Sequence, residues 1–289
     1  MLNQIEDDYI LENYKFKDGE TLAELRLHYS TLGTPVRDAA GNITNAILFL
    51  HWMSASGEDL LAPAFSKELY GTGQALDLTR YFLIVPDNIG HGRSSKPSDG
   101  LHAGFPQYRF GDMVDLQHRL VADKLGIKHL HLILGLSIGG MHTWMWGEQF
   151  PDMTGALLPI GCLPAPISGR NAVWRKVIAQ SIRTDPEWRN GDYTEQPHGL
   201  TSMLPLMQMM LEGVPQLQTM IANTGQAETF VQKIVTAAPS RDANDIMYSL
   251  ESSADYNPHH LERIKAKLFA LNFEDDEINP VELNILPRR

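Results

Sequence analysis

The sequence predicts an α/β fold built on a mostly parallel sheet that helices cover on both faces. Two apolar runs, 46–50 and 81–85, each end in a polar or glycine-rich turn, as buried parallel strands do. A third run at 130–134 follows a segment of near-helical apolar spacing, so that strand, helix and strand alternate. Such alternation favours a parallel sheet with helices on both sides.

The elements after the third run continue this alternation. Residues 141–150 form an apolar segment that Pro151 closes, which predicts a helix, and residues 156–160 predict a further strand. Strand character returns at 267–273, just before an acidic turn. A late strand of the same sheet is therefore expected there.

Changes of composition along the chain predict three segments. Residues 1–163 form the N-terminal part of the core, and residues 258–289 resume the core and carry the acidic turn. Between them, residues 164–257 contain clustered methionines and little strand pattern. We expect this middle segment to be a helical lid inserted into the core, with its methionines forming an adaptable apolar wall.

The composition narrows the classes of partner. The formal net charge is -11, and no basic stripe is present, so nucleic acid is not an expected partner. The first ten residues lack a signal pattern and no apolar run is long enough to span a bilayer, so we expect no membrane association and a cytoplasmic location. The single cysteine, Cys162, excludes an internal disulfide and a cysteine-based zinc site.

A nucleophile motif lies between the third strand and the following helix. Residues 135–139 match G-x-S-x-G in that strand-turn-helix context. The glycines are expected to relieve collisions on a sharp turn that exposes the hydroxyl of Ser137, and the helix N-terminus favours developing negative charge. We predict that Ser137 is a catalytic nucleophile. The alternative is a glycine-rich turn with an idle serine, or a dinucleotide-binding loop, although G-x-G-x-x-G is absent.

Two backbone N–H groups are predicted to form an oxyanion hole. Met53 lies in the loop that ends the strand at 46–50, and Ile138 follows the nucleophile, which are the two positions that supply such donors. His51 is not expected to act as the base. The turn at 87–95 is predicted to be structural, with His91 as base the alternative.

An acidic residue after the late strand completes the candidate set. Asp276 follows Ser137 in the chain order that a Ser, Asp, His triad requires, and it is predicted to orient a histidine. Asp275 competes for this role. A third possibility is that both are solvated acids of a turn.

Four segments carry a resemblance to a known family: HWMSASGEDLL, PDNIGHGRSSKPSDG, GLSIGGMHTWMW and NFEDDEINP resemble the homoserine O-acetyltransferase-like branch of the α/β-hydrolases. The resemblance covers nearly the whole chain. It implies an α/β-hydrolase fold. It also implies an enzyme that transfers an acyl group from a small ester or thioester to a serine and then to an alcohol or water, with no metal or bound cofactor. A homodimer is an open alternative. The family's D-x-x-x-P pattern at 276–280 selects Asp276 over Asp275.

The sequence departs from this family at two places. The lid arginine that binds the substrate carboxylate in homoserine-acylating members aligns with Ala179, so homoserine is not the expected substrate, although Arg175 could substitute. The family's catalytic histidine follows one further strand, whereas no histidine follows His260 here. The catalytic histidine is therefore not assigned, and the last strand and helix of the fold are expected to be missing.

Two functions follow from these predictions. The first is an ester or acyl hydrolase, or an O-acyltransferase, that works through an acyl-enzyme at Ser137. The second is a catalytically impaired fragment or a non-catalytic binding protein of the same fold that lacks the base. Natural loss of the histidine segment and truncation of a longer enzyme are both compatible with the second.

Overall fold

The computed structural model describes residues 3–238 and 241–286. The chain divides into two compact units. The first, the sheet unit, comprises Met1–Ser95, Pro106–Ala165 and Asp255–Leu271. The second, the helical unit, comprises Lys96–Phe105, Pro166–Ala254 and Asn272–Arg289.

Seven strands of the sheet unit form one sheet. Their bounds are β1 (Gln4–Lys15), β2 (Thr21–Leu32), β3 (Ala46–Leu50), β4 (Phe82–Pro86), β5 (Leu132–Leu136), β6 (Ala156–Ile160) and β7 (Lys267–Leu268). The strand order is β1-β2-β4-β3-β5-β6-β7. The two pairings that involve β2 are antiparallel, and the pairings from β4 to β7 are parallel. The predicted mostly parallel sheet is confirmed.

Helices of the sheet unit connect the parallel strands. Their bounds are α1 (Gly57–Leu61), α2 (Pro63–Leu69), α3 (Phe110–Arg119) and α4 (Ile138–Gln149). A π-helical turn, Leu120–Lys124, continues α3. The helix predicted at 141–150 is α4, which begins three residues earlier, directly after Ser137.

Helices lie on both faces of the sheet. Ile47 and Phe49 of β3 belong to a buried apolar cluster with Leu60 of α1, against which Phe65 of α2 also packs. Alternate residues of a strand point to opposite faces, so Leu48 faces the other side of the sheet. The helix α4 contacts β3, β5 and β6. Burying each such Leu, Ile or Phe side chain contributes about 1.5–3 kcal/mol, which fixes the sheet between its helices.

The helical unit contains six α-helices in its described part. Their bounds are α5 (Gly169–Thr184), α6 (His198–Thr201), α7 (Leu204–Leu211), α8 (Val214–Met220), α9 (Thr224–Ala237) and α10 (Ala243–Glu251). The short segment Lys96–Phe105 joins this unit through α10: the backbone N–H of Ser98 donates to Asp245, and the Tyr248 hydroxyl donates to the Phe105 carbonyl. The division into core, lid and resumed core remains a prediction of the sequence.

The sequence prediction and the structure differ at the two ends of the sheet. The strands predicted at 46–50 and 156–160 have the same bounds in the structure. The sequence prediction did not include the antiparallel strands β1 and β2. β1 buries only Leu11 and Tyr14 and so shows no alternating apolar pattern. β2 does carry such a pattern, at Leu25, Leu27 and Tyr29, which the prediction missed. The strand predicted at 267–273 is shorter: β7 ends at Leu268, and a single bridge joins Leu271 to Ile160.

No helix within residues 3–238 and 241–286 is both long enough and apolar enough to cross a membrane.

Candidate active site

The predicted nucleophile lies in a strained turn between β5 and α4. Ser137 has φ 53° and ψ -112°, a combination that costs free energy for a residue with a side chain. Its N–H donates to the Ile160 carbonyl at 2.8 Å, and its carbonyl accepts from the Met141 N–H at 2.9 Å. These two bonds hold the turn from the sheet on one side and from the helix on the other. The half-buried serine therefore lies at the carboxyl end of β5 and at the N-terminus of α4.

Three glycines allow the close approach that this turn requires. A Cβ at Gly135 would lie 2.2 Å from the Gly139 carbonyl oxygen, and one at Gly139 would lie 2.4 Å from the Leu50 carbonyl oxygen. A Cβ at Gly140 would lie 2.6 Å from the Cys162 sulfur. Only glycine fits these positions without a shift of the backbone or of a buried side chain.

The structure places the two predicted oxyanion donors on elements in direct contact. Ile138 is the first residue of α4, where backbone N–H groups have no partner within the helix. Met53 is buried in the turn that follows β3. Position 139, next to Ile138, lies against the Leu50 and His51 carbonyls, which brings the end of β3 beside the first turn of α4.

A buried hydrogen-bond network in the sheet unit joins α3, α4 and the loop after β4. The Gln117 side-chain amide donates to the Asn88 side-chain oxygen at 2.6 Å and to His142 Nδ1 at 3.0 Å. Its oxygen accepts from Trp146 Nε1 at 2.8 Å, which fixes the orientation of the amide. His142 therefore accepts at Nδ1 and carries its proton on Nε2. Burial, with smaller effects from His51 and His91, lowers the pKa of His142 to about 3.

The turn at 87–95 is organised by a carboxylate. Asp87 accepts the Gly57 N–H at 2.6 Å and the Arg93 N–H at 2.8 Å, and its carbonyl accepts from the Ser94 hydroxyl. These bonds support the predicted structural role of the turn. His91 lies within it, with Nδ1 3.1 Å from the Ile89 carbonyl oxygen, and its ring centroid is 5.1 Å from that of His51.

The predicted catalytic acid belongs to the helical unit. One oxygen of Asp276 accepts the Ile278 and Asn279 backbone N–H groups, each at 2.8 Å, and the other accepts from the Asn279 side chain at 3.0 Å. A carboxylate has about four acceptor positions, so these local bonds leave capacity for a further donor. Asp275 is exposed and lies against Gly213. The catalytic role of Asp276 remains a prediction.

No described histidine of the sheet unit is hydrogen bonded to the Ser137 hydroxyl. Both ring nitrogens of His51 are occupied, and His142 carries its proton on the nitrogen that Gln117 leaves unoccupied. His260 Nδ1 lies 3.1 Å from a carboxylate oxygen of Glu262. In the described ranges, no group of three or more His, Cys, Asp or Glu side chains is arranged to hold a metal ion.

Ala179 and Arg175, the two positions that the sequence prediction related to carboxylate binding, are both buried in the helical unit. The Arg175 guanidinium donates to the Asn171 side chain at 2.8 Å and to the Ser253 hydroxyl at 3.3 Å. Burial lowers its pKa to about 10. Arg175 is therefore already engaged by neutral groups of its own unit.

The sequence prediction missed the polar network. Its signal lies in α3 and the π-helical turn that continues it, where Met113, Gln117 and Leu120 share one face at helical spacing, so that a polar amide interrupts an apolar stripe. A buried amide must find partners, and the partners here come from β4's following loop and from α4.

Comparison with known proteins identifies the family. Residues 45–288 match the sequence profile of the alpha/beta hydrolase fold. The chain therefore belongs to the α/β-hydrolase fold family, as its sheet and its serine turn indicate.

Its relatives include proteins named for acyl transfer. The chain is 26% identical to a protein of Methanothermobacter thermautotrophicus named "Probable acyltransferase", over 99% of this chain and 88% of that protein. It is 34% identical to the homoserine O-acetyltransferase of Chlorobaculum parvum over 62% of this chain, and the match spans about half, 51%, of that protein. It is 29% identical to the homoserine O-succinyltransferase of Stutzerimonas stutzeri over 82% of this chain and 64% of that protein. The predicted resemblance is confirmed.

Solved structures show the same fold. The homoserine O-acetyltransferase of Bacillus anthracis superposes with a TM-score of 0.84 at 23% identity, over 98% of this chain and 87% of that one. The acetyl esterase MekB superposes with a TM-score of 0.81 at 22% identity, over 96% and 84%. At these identities the likeness shows the fold alone, and it confirms the predicted α/β-hydrolase fold.

Proposed function

We propose that this protein transfers acyl groups through a covalent intermediate at Ser137. The observation that carries the proposal is the strained Ser137 turn, φ 53° and ψ -112°, at the N-terminus of the 12-residue helix α4. Strain at a single side-chain-bearing residue between a buried strand and a helix is characteristic of a site with a function.

The chemistry would proceed in two halves. The Ser137 oxygen forms a bond to the carbonyl carbon of an ester or thioester, and the carbonyl electrons move onto the oxygen. The N–H groups of Met53 and Ile138, together with the α4 dipole, stabilise that oxyanion. The intermediate collapses as the bond to the alcohol or thiol oxygen or sulfur breaks, and the proton of the Ser137 hydroxyl passes through solvent to that departing atom, which leaves an acyl-serine. Water or an alcohol then attacks the acyl-serine, its proton passes to the Ser137 oxygen as the acyl–serine bond breaks, and the acid or a new ester is released.

The substrates we propose are small acyl esters or thioesters, with water or an alcohol without a carboxylate as acceptor. Ala179 offers no cation for a carboxylate, and Arg175 is buried and hydrogen bonded to Asn171 and Ser253. A bidentate arginine contact contributes strongly to carboxylate recognition, so its loss lowers selectivity for an amino acid acceptor.

Asp276 is the proposed acid, and no histidine is assigned as the base. A serine without its base is a weak nucleophile at neutral pH, but an oxyanion hole and substrate binding alone can still accelerate a reaction by about a thousandfold over water.

The test combines covalent labelling with turnover. Wild type, Ser137→Ala and the control Ser66→Ala, a partly buried serine of α2, are treated with a fluorophosphonate, followed by intact mass and peptide mapping. We expect one label on Ser137 in wild type and in the control, and none in Ser137→Ala. Hydrolysis of p-nitrophenyl acetate should follow the same order. Equal hydrolysis by wild type and Ser137→Ala would contradict the proposal.

A second candidate function is ligand binding without turnover. It is favoured by the sheet unit's described histidines, none of which is hydrogen bonded to the Ser137 hydroxyl. Saturable binding of an acyl ester with no product formed, and no label at Ser137, would support this function over the first.

A further inference from the structure

His51, at the end of β3, is wholly buried, and both of its ring nitrogens are hydrogen bonded. Nδ1 lies 2.8 Å from the Trp52 carbonyl oxygen, and Nε2 lies 3.0 Å from the Asn88 backbone nitrogen. A carbonyl only accepts and a backbone N–H only donates, so the ring is neutral with its proton on Nδ1. The imidazole therefore acts as a fixed connection between the loop after β3 and the loop after β4.

The group that His51 holds is one end of a peptide unit. The Trp52 carbonyl accepts from His51 Nδ1 and also from the Ala55 N–H at 3.2 Å, across a turn in which Ser54 has φ 63°. The Trp52 carbonyl and the Met53 N–H belong to the same planar trans peptide and point in opposite directions. Fixing the carbonyl therefore fixes the direction of the Met53 N–H.

The backbone just before this peptide lies beside the nucleophile turn in space, although the two are far apart in the chain. A Cβ at Gly139 would be 2.4 Å from the Leu50 carbonyl oxygen and 2.7 Å from that of His51. The backbone that leads into the Trp52–Met53 peptide is therefore pressed against the first turn of α4, two residues beyond Ser137.

We propose that His51 is a positioning residue that, through its Nδ1 bond to the Trp52 carbonyl, sets the direction of the Met53 N–H toward the oxyanion. The inference rests on the function proposed above, in which Met53 is an oxyanion donor. Removing one oxyanion donor outright lowers kcat by about 10²–10³. When the donor is present but misdirected, we expect the rate of attack to be roughly ten- to a hundredfold lower than with a correctly directed donor, with little effect on ground-state binding.

Two substitutions separate this role from simple packing. In His51→Asn, the side-chain amide nitrogen falls near the position of Nδ1 and can still donate to the Trp52 carbonyl. In His51→Gln, the longer side chain reaches the position of Nε2 and can accept from the Asn88 N–H, but it offers no donor to Trp52. Both variants lose the ring, so a merely structural role predicts similar effects from both.

The experiment measures the second-order rate of fluorophosphonate labelling at Ser137 by intact mass, beside the thermal unfolding of each variant. Attack at phosphorus develops charge on an oxygen that the same donors stabilise. We expect His51→Gln to label roughly ten- to a hundredfold more slowly than wild type, and His51→Asn to recover most of the wild-type rate at a similar melting temperature. Equal rates for wild type and His51→Gln would overturn the inference while leaving Ser137 as the nucleophile.

Two further results also test the inference. Absence of any label on Ser137 in wild type would overturn the proposed function and this inference together. If neither variant folds, long-range ¹H–¹⁵N correlation spectra of the wild-type protein provide the test. Protonated Nδ1 and unprotonated Nε2 on His51 at neutral pH are expected, and the opposite tautomer would overturn the inference.

Discussion

Replacing Gly139 by alanine tests the contact on which the site depends. Gly139 lies in the first turn of α4, and alanine is favoured over glycine in a helix by about 1 kcal/mol, so helix propensity alone predicts a more stable protein. The contact with β3 predicts the opposite. A Cβ at this position would lie 2.4 Å from the Leu50 carbonyl oxygen, whereas Cβ contacts below 3.0 Å are essentially never observed.

The magnitude follows from the distance and from what surrounds it. The Cβ and the oxygen must separate by about 0.6 Å, the difference between 3.0 and 2.4 Å. Neither side yields easily, because β3 is hydrogen bonded to β4 and to β5 and because α4 is tied to the Ser137 turn. Overpacking costs about 1–3 kcal/mol, and a contact between two backbones belongs at the upper end. After the helix gain of about 1 kcal/mol, we expect a net loss of about 2 kcal/mol in the free energy of unfolding.

The assay is urea unfolding at equilibrium, with Gly147→Ala as the matched control in the same helix. A Cβ at Gly147 would meet side-chain atoms, Leu157 Cδ1 at 2.6 Å and Ile264 Cγ1 at 3.0 Å, which can rotate away. We expect the control to stay within about 1 kcal/mol of wild type, because the helix gain offsets the adjustment. Gly139→Ala should also slow the labelling of Ser137. A Gly139→Ala protein as stable as Gly147→Ala would refute the reasoning.

Two further predictions concern pH. Burial raises the pKa of Asp245 to about 6, although the Asp245 carboxylate accepts two hydrogen bonds from Ser98. The stability that its protonated form contributes is therefore present below about pH 4 and is lost as the pH rises through 6. Asp245→Asn should therefore gain about 1–3 kcal/mol in unfolding free energy relative to wild type between pH 4 and 7, and an unchanged difference across that range would contradict this. Burial lowers the pKa of His142 to about 3, so its contribution is present above about pH 6.5 and is lost as the pH falls. His142→Asn keeps an acceptor for Gln117. It should reduce the slope of the unfolding free energy against pH, between pH 6 and 4, by up to about 1.4 kcal/mol per pH unit, as measured by urea titration at each pH. An equal slope in both proteins would show that His142 is already protonated in the folded state.

The centre of the sheet could be predicted from the sequence because its signal is local. Buried parallel strands are short apolar runs, and β3 and β6 have the predicted bounds for that reason. The edges carry no such signal. Most of β1 is exposed, and its place in the sheet comes from pairing along almost its whole length with β2. Backbone pairing of this kind depends on register and on neighbours, which single-residue polarity does not record.

The candidate site likewise has a part that a local sequence signal predicts and a part that depends on distant residues. The turn at Ser137 could be predicted because glycines on either side of a serine are a direct consequence of its geometry, and the close contacts at positions 135 and 139 show why. The tautomers of His51 and His142 could not, since each depends on a single donor or acceptor brought from a distant part of the chain. Gln117 illustrates the limit: its place on an apolar helix face indicates burial, yet only the positions of Asn88 and Trp146 decide which way its amide points. A buried polar group thus reveals from sequence that it has partners, while its chemical role is set by which partners the fold supplies.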